Sequence, residues 1–197
     1  MGFGPIFLGI MFLFDAQAGL RAADGSVHMM LDLFPDLVGW LLLFRGLTVL
    51  SEWEKAFLPL KRPAFLMGML AAFSLAKDTI LFPYFYTASG SHRFSVEIFD
   101  FCEHLLILAF LYVLFQKMVP FARKHGEDKL AIHHRTVPTL VLAEGGIFVL
   151  SKILSVLSVK ELESFAVVVS RLDYLFWIFL VWFAVIAMVR SMIRITD

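Results

Sequence analysis

Six stretches of this chain are long and apolar enough to cross a lipid bilayer as helices, and that constrains the fold more than any other feature. A hydrocarbon core of ~30 Å needs about 20 mostly apolar helical residues. The windows are Phe3–Leu20, Met29–Leu50, Pro63–Phe85, Val96–Val119, Val137–Leu157 and Phe165–Val189. Of the 197 residues, 60% are hydrophobic and 15% aromatic, against roughly 45–50% apolar in soluble domains. A soluble fold of this length would still expose about 30% of its unfolded surface, and could not hide the excess. Lipid solvates it. The expected fold class is therefore all-α: a polytopic membrane protein, a six-transmembrane-helix bundle forming one integral membrane domain over residues 1–197.

The connections fall where turn residues gather: Arg21–Ser26, Leu58–Pro63, Ser89–Ser91 and the polar stretch Pro120–Arg135. Cationic residues divide unequally between the two sides. One side carries Lys55, Lys61, Arg62, Lys117, Arg123, Lys124, Lys129, Arg135, Arg190 and Arg194; the other has Arg21, Arg93 and Lys160. The positive-inside rule then puts both termini and the even-numbered connections in the cytoplasm. Ala16-Gln17-Ala18 imitates a signal-peptide cleavage site, but no basic segment precedes it. A myristoylation signal would need Ser or Thr where Ile6 stands. Charge is balanced, 17 basic against 17 acidic, which gives no sign of nucleic acid as a partner. The single cysteine, Cys102, excludes an internal disulfide and a multi-cysteine metal site.

Ionisable residues inside the spans set this chain apart. A charge at a helix centre costs roughly 2.5–3.5 kcal/mol on insertion scales, so such residues mark partners or function. In the expected orientation the outer half holds Asp15, Asp32, Asp36, Lys77, Asp78, Asp100, Glu103, His104, Lys152, Arg171 and Asp173, with Glu97 at its boundary; the inner half holds Arg45 and Glu144. Seven outer carboxylates against three fixed cations leave a surplus of four. Water in an outward-facing cavity, protonated carboxyls or a bound cation would relieve it. Helical geometry puts Asp32, Asp36 and Gly39 on one face of the second span. It likewise groups Ser74, Lys77 and Asp78 on the third, and Glu97, Asp100 and His104 on the fourth, with Glu103 flanking. Lys77 and Lys152 each call for an acid across a helix interface, since lone buried ammonium groups are costly. Arg171 and Asp173 point about 160° apart and need separate partners.

Two candidate helix breaks sit in comparable places, Pro35 with Gly39 in the second span and Gly145-Gly146 after Glu144 in the fifth. Acid-plus-breaker at matching positions of two three-helix halves is the pointer to an inverted-repeat transporter site. The structural alternatives are a first-turn proline and close helix packing. The segment Asp32-Leu33-Phe34-Pro35-Asp36-Leu37-Val38-Gly39, followed by Leu42 and Gly46-Leu47, resembles a group of uncharacterised small multi-pass membrane proteins of Gram-positive bacteria. They carry D-x-x-P-D-x-x-G in span two and an acid near the end of span one, here Asp15. The match covers about the first 50 residues. It implies a bacterial cytoplasmic membrane and no chemistry.

Glu97, Asp100, Glu103 and His104 offer mixed carboxylate and imidazole donors, with Asp100 and His104 the closest approach to a metal site. Their spacing matches neither Glu-x-x-His nor His-Glu-x-x-His. Structural polar packing is the plainer reading. His125 and His133-His134-Arg135 lie in the basic connection, where contact with anionic lipid headgroups is expected. No G-x-S-x-G, P-loop or paired-histidine zinc helix is present, so no catalytic residue is named. Three functions follow. The first is a small proton- or cation-coupled transporter or permeation protein with an outward-facing acidic cavity formed by Asp36, Asp100 and His104. The second is a structural or regulatory protein binding lipid, a membrane partner or a second copy of itself. The third is an intramembrane enzyme using the acidic cluster. No cofactor is expected beyond a proton or divalent cation as guest.

Overall fold

In the computed structural model of the protein, residues 2–13, 17–21, 27–32, 36–79, 91–157 and 163–196 are described. They form two compact units, Met1–Ile107 and Leu108–Asp197. The first unit opens with helix α1 (Phe3–Phe12), strands β1 (Gln17–Arg21) and β2 (Val27–Asp32), and helix α2 (Asp36–Trp53). A 3-10 helix (Lys55–Leu60), α3 (Lys61–Thr79) and the start of α4 (Ser91–Lys124) complete it.

Glycines bring α1 and α2 together. A Cβ on Gly9 would lie 2.7 Å from the Gly39 carbonyl oxygen, and one on Gly39 would lie 2.9 Å from the Gly9 oxygen. Seven residues along each helix the contact repeats, with a Cβ on Gly46 falling 2.7 Å from the Gly2 oxygen. Two antiparallel helices with small residues at matched heptad positions can touch backbone to backbone. Phe3, Ile6 and Ile10 of α1 and Leu43, Leu47 and Leu50 of α2 are fully buried along the same seam. Gly39 is therefore a packing residue inside a continuous helix and does not break it. Pro35 lies outside the described residues.

The β-hairpin corrects the expected ends of the first two spans. Residues 17–20 and 29–32 are antiparallel strands, with Gln17 opposite Asp32 and Leu20 opposite Met29, and a bulge before Arg21 pairs with Val27. Two short runs separated by five residues that include Gly25 carry a hairpin signal. Pairing the strands satisfies backbone groups that an unfinished helix would leave exposed. The strand β2 lies beside α3. It is the one departure from all-helical architecture among the described residues.

Four helical stretches among the described residues are long and apolar enough to cross a membrane: Lys55–Lys77, Glu97–Lys124, Asp128–Val156 and Ser164–Ile195. The six-span expectation is thus reduced to four on these criteria. Helix α1 has 10 residues, and α2 carries Asp36, Arg45 and Glu52 within its 18.

The second unit contains the rest of α4, α5 (Asp128–Leu157) and α6 (Glu163–Thr196). The expected polar stretch Pro120–Arg135 is mostly helical. A proline inside a helix removes one N–H, yet α4 continues through Pro120 to Lys124 and α5 starts at Asp128. The turn between them is set by Gly126 at φ +76°. Its N–H donates to the Arg123 carbonyl at 3.0 Å, and the Glu127 N–H donates to that of Ala122 at 3.0 Å. This pair of bonds closes the helix C-terminus and requires a left-handed residue at position 126. Helix α5 likewise runs unbroken through Gly145 and Gly146, which corrects the second candidate break. A Cβ on Gly145 would meet Leu108 at 3.5 Å, and one on Gly146 would meet nothing within 4 Å. On α6, Val168, Leu172, Leu175, Phe179, Trp182 and Ile186 form an exposed stripe at helical spacing. Lipid is the solvent that suits such a face.

Candidate polar site between helices α3 and α4

After Lys61 and Arg62 helix α3 is apolar until its last turns, where Ser74 and Lys77 stand one turn apart. Helix α4 answers with Asp100 and Glu103 at the same spacing. The Lys77 ammonium forms an ion pair with the Asp100 carboxylate. Ser74 donates a hydrogen bond of 3.0 Å to Glu103 Oε2. Both contacts have the register of an antiparallel seam, three residues down one helix and three up the other. The Phe73 and Phe99 rings meet edge-on at 5.3 Å beside them, and Lys77 Nζ lies 5.2 Å from the Phe99 centroid.

Burial is uneven across the ion pair. The Lys77 side chain is 3% exposed, whereas that of Asp100 is 44% exposed. Glu103 is also buried. A desolvated ammonium is tolerable only with a close counter-ion and a polarisable neighbour, which Asp100 and Phe99 supply. The expectation that Lys77 reaches an acid across a helix interface is met. Two carboxyls, Asp100 and Glu103, thus stand at the end of α3 that carries Lys77, an arrangement that a proton or a small cation could enter.

The other sequence candidates fall elsewhere. Asp36 is half-buried in the first turn of α2. His104 is half-buried on α4, one turn beyond Asp100. Lys152 is exposed and lies 5.4 Å from the Phe148 ring centroid, with no acid partner among the described residues. Arg171 is exposed and Asp173 half-buried on α6. Asp32 ends strand β2, and Asp78 lies on α3. Asp15 lies outside the described residues. Among the described residues no group of three His, Cys, Asp or Glu side chains is placed to hold a metal ion, so Asp100 and His104 gain no third donor there. Cys102 is exposed.

One polar site was not foreseen. His134, expected in a basic connection, is fully buried in α5. Its Nε2 lies 2.8 Å from Ser191 Oγ on α6, and that hydroxyl donates to the Ala187 carbonyl at 3.0 Å. The hydroxyl proton is thereby used, so Nε2 carries the hydrogen and donates. Neighbouring His133 meets Arg190, and Arg194 pairs with Glu127 at 3.1 Å. Extending the apolar phase of Val137 and Val141 one turn upstream would have placed His134 on the buried face. The proline-based reading of 120–135 as a connection hid that signal.

No family model, curated protein or solved structure matches the chain.

Proposed function

We propose that this chain is a small multi-pass protein of a bacterial cytoplasmic membrane that exchanges a proton or a cation at the α3–α4 seam. Asp100 and Glu103 are the exchanging groups, Lys77 the fixed counter-charge and His104 an auxiliary acceptor one turn along. The observation that carries this reading is the unequal burial of the Lys77–Asp100 pair, one end sealed and the other open. An open carboxyl can trade its proton with the surroundings, while a sealed ammonium keeps the vacated charge compensated. The cationic connections support an orientation with both termini inside and this seam toward the outer surface. The resemblance of Asp32–Gly39 to the Gram-positive multi-pass group supports the choice of membrane.

A second reading has its own support. Ser74–Glu103 and Lys77–Asp100 are also contacts that pin two helices in register, as in a structural or regulatory subunit that binds lipid, another membrane protein or itself. Proteoliposomes separate the two. With the exchange role, Asp100→Asn abolishes pH-gradient-driven or cation-driven flux while the protein still folds. With the pinning role, wild type and variant show the same background flux, and loss of thermal stability is the variant's only effect. Flux that survives in both Asp100→Asn and Glu103→Gln would overturn the exchange reading.

A further inference from the structure

The second unit contains a pocket between α4 and α5 with a cavity volume of about 360 Å³. Its polar lining comes from Tyr112, Gln116, Arg123, Arg135 and Thr139, and its apolar lining includes Val119 and Leu142. We propose that this pocket binds the headgroup and glycerol region of an anionic phospholipid.

The lining is sorted along the helices. Arg123 is one residue before the end of α4, and Arg135 is two turns into α5, so both arginines belong to the end beside the Gly126 turn. Tyr112 and Leu142 lie farther from that turn on their helices, by about 16 Å from Tyr112 to Arg123 at 1.5 Å per residue. That length exceeds a phosphate ion and suits a phosphate joined to a glycerol backbone. Both arginines are exposed, and neither has an acid partner among the described residues. Two planar guanidiniums facing one pocket fit the oxygens of a phosphodiester.

Deeper in, the donors change to hydroxyls. Gln116 Nε2 donates to the Tyr112 oxygen at 2.8 Å, which leaves the phenol proton to donate outward. Thr139 supplies a second hydroxyl on the facing helix. Ester carbonyls of a glycerolipid are the acceptors that such donors suit. Leu142, 65% exposed, continues the wall as an apolar surface on which an acyl chain lies. The order cation, hydroxyl, hydrocarbon is the order of groups in a phospholipid. An inorganic anion would use only the first, and a soluble metabolite would leave the last without purpose. The concentration of basic residues on this side of the spans places the pocket where anionic headgroups are enriched.

The test uses the full chain in phosphatidylcholine nanodiscs with and without phosphatidylglycerol, reading thermal unfolding and, after extraction, bound lipid by native mass spectrometry. Phosphatidylglycerol raises Tm and one molecule is retained per chain, whereas inorganic phosphate in pure phosphatidylcholine changes nothing. Arg123→Gln with Arg135→Gln weakens retention by about tenfold or more, as expected for losing charge-assisted hydrogen bonds. Lys129→Gln, an exposed basic change outside the pocket, leaves retention intact. Thr139→Trp fills the pocket without altering charge and also expels the lipid, so the outcome does not hang on the arginine variants folding. Equal loss in Lys129→Gln would mean general surface attraction and overturn the site. Equal stabilisation by inorganic phosphate would mean a free-anion site and overturn the lipid assignment, as would unchanged retention in Thr139→Trp.

Discussion

At Lys77, three small facts fix one outcome: a sealed ammonium, a half-open carboxylate and an aromatic face. Removing one member of a buried ion pair costs roughly 3–5 kcal/mol because the other charge is stranded. Exposure of Asp100 screens its side of the interaction, so the coupling here is expected to be smaller, about 1–2 kcal/mol. Lys77→Met should therefore destabilise more than Lys77→Met combined with Asp100→Asn, and a double-mutant cycle on thermal or denaturant unfolding measures the difference. A coupling of zero would remove the pair as an organising contact. His134 makes a parallel case without charge. Its Nδ1 has no hydrogen-bond partner among the described residues, so Ser191 carries the ring's polar pairing. Ser191→Ala leaves a buried N–H unsatisfied, at a cost of roughly 1–3 kcal/mol. His134→Phe together with Ser191→Ala removes both partners and should recover part of that loss, which unfolding of the three variants would show.

Among the elements, helices α3 to α6 were legible in the sequence because twenty or more apolar residues leave little choice of structure in lipid. The α3–α4 seam was half legible. Periodicity put Ser74 with Lys77 and Asp100 near Glu103, but nothing in a sequence states which faces of two helices meet. The ends of the first two spans differ from expectation, since apolar content alone counts residues 17–20 and 29–32 as helix and overlooks the strand pairing between them. Glycines were misread in the other direction. Beside Pro35, Gly39 reads as a break, although its seven-residue spacing from Gly46 matches that of Gly2 from Gly9 on the partner helix. That match predicts a contrast between glycines. Gly9→Ala or Gly46→Ala drives a methyl into backbone oxygen, and overpacking of this kind costs about 1–3 kcal/mol. Gly146→Ala meets open space and gains up to ~1 kcal/mol in helix propensity. Melting temperatures of the three variants in one detergent decide it, and equal losses at all three would refute the glycine seam.

For the whole molecule, the difference between four and six crossings has a consequence for parity. The two segments in question, α1 and α2, adjoin each other, so they add either two crossings or none. In both cases the N-terminus, the α4–α5 turn and the C-terminus share one side, which the proposed orientation puts in the cytoplasm: the cationic residues divide ten to three with six crossings and, as Arg21 changes sides, eleven to two with four. A reporter active only in the cytoplasm should work after Asp197 and within Arg123–Asp128, and should fail at Ser89–Ser91. Position 26, between the strands, then distinguishes the two counts. With Cys102→Ser as background, Ser26→Cys should react with a membrane-impermeant maleimide in intact cells if α1 and α2 cross. It should react only after the cells are opened if they do not. Helix α1 rises only about 15 Å over its ten residues, and an open two-stranded hairpin leaves edge N–H and C=O groups that lipid cannot pair, so α1 with β1 makes a poor crossing. Labelling only after the cells are opened is therefore the expected result. An active reporter at Ser89–Ser91 would invert the molecule. It would move the Lys77–Asp100 pair to the cytoplasmic edge and the Arg123–Arg135 pocket to the outer leaflet, where the argument from cytoplasmic anionic lipid no longer holds.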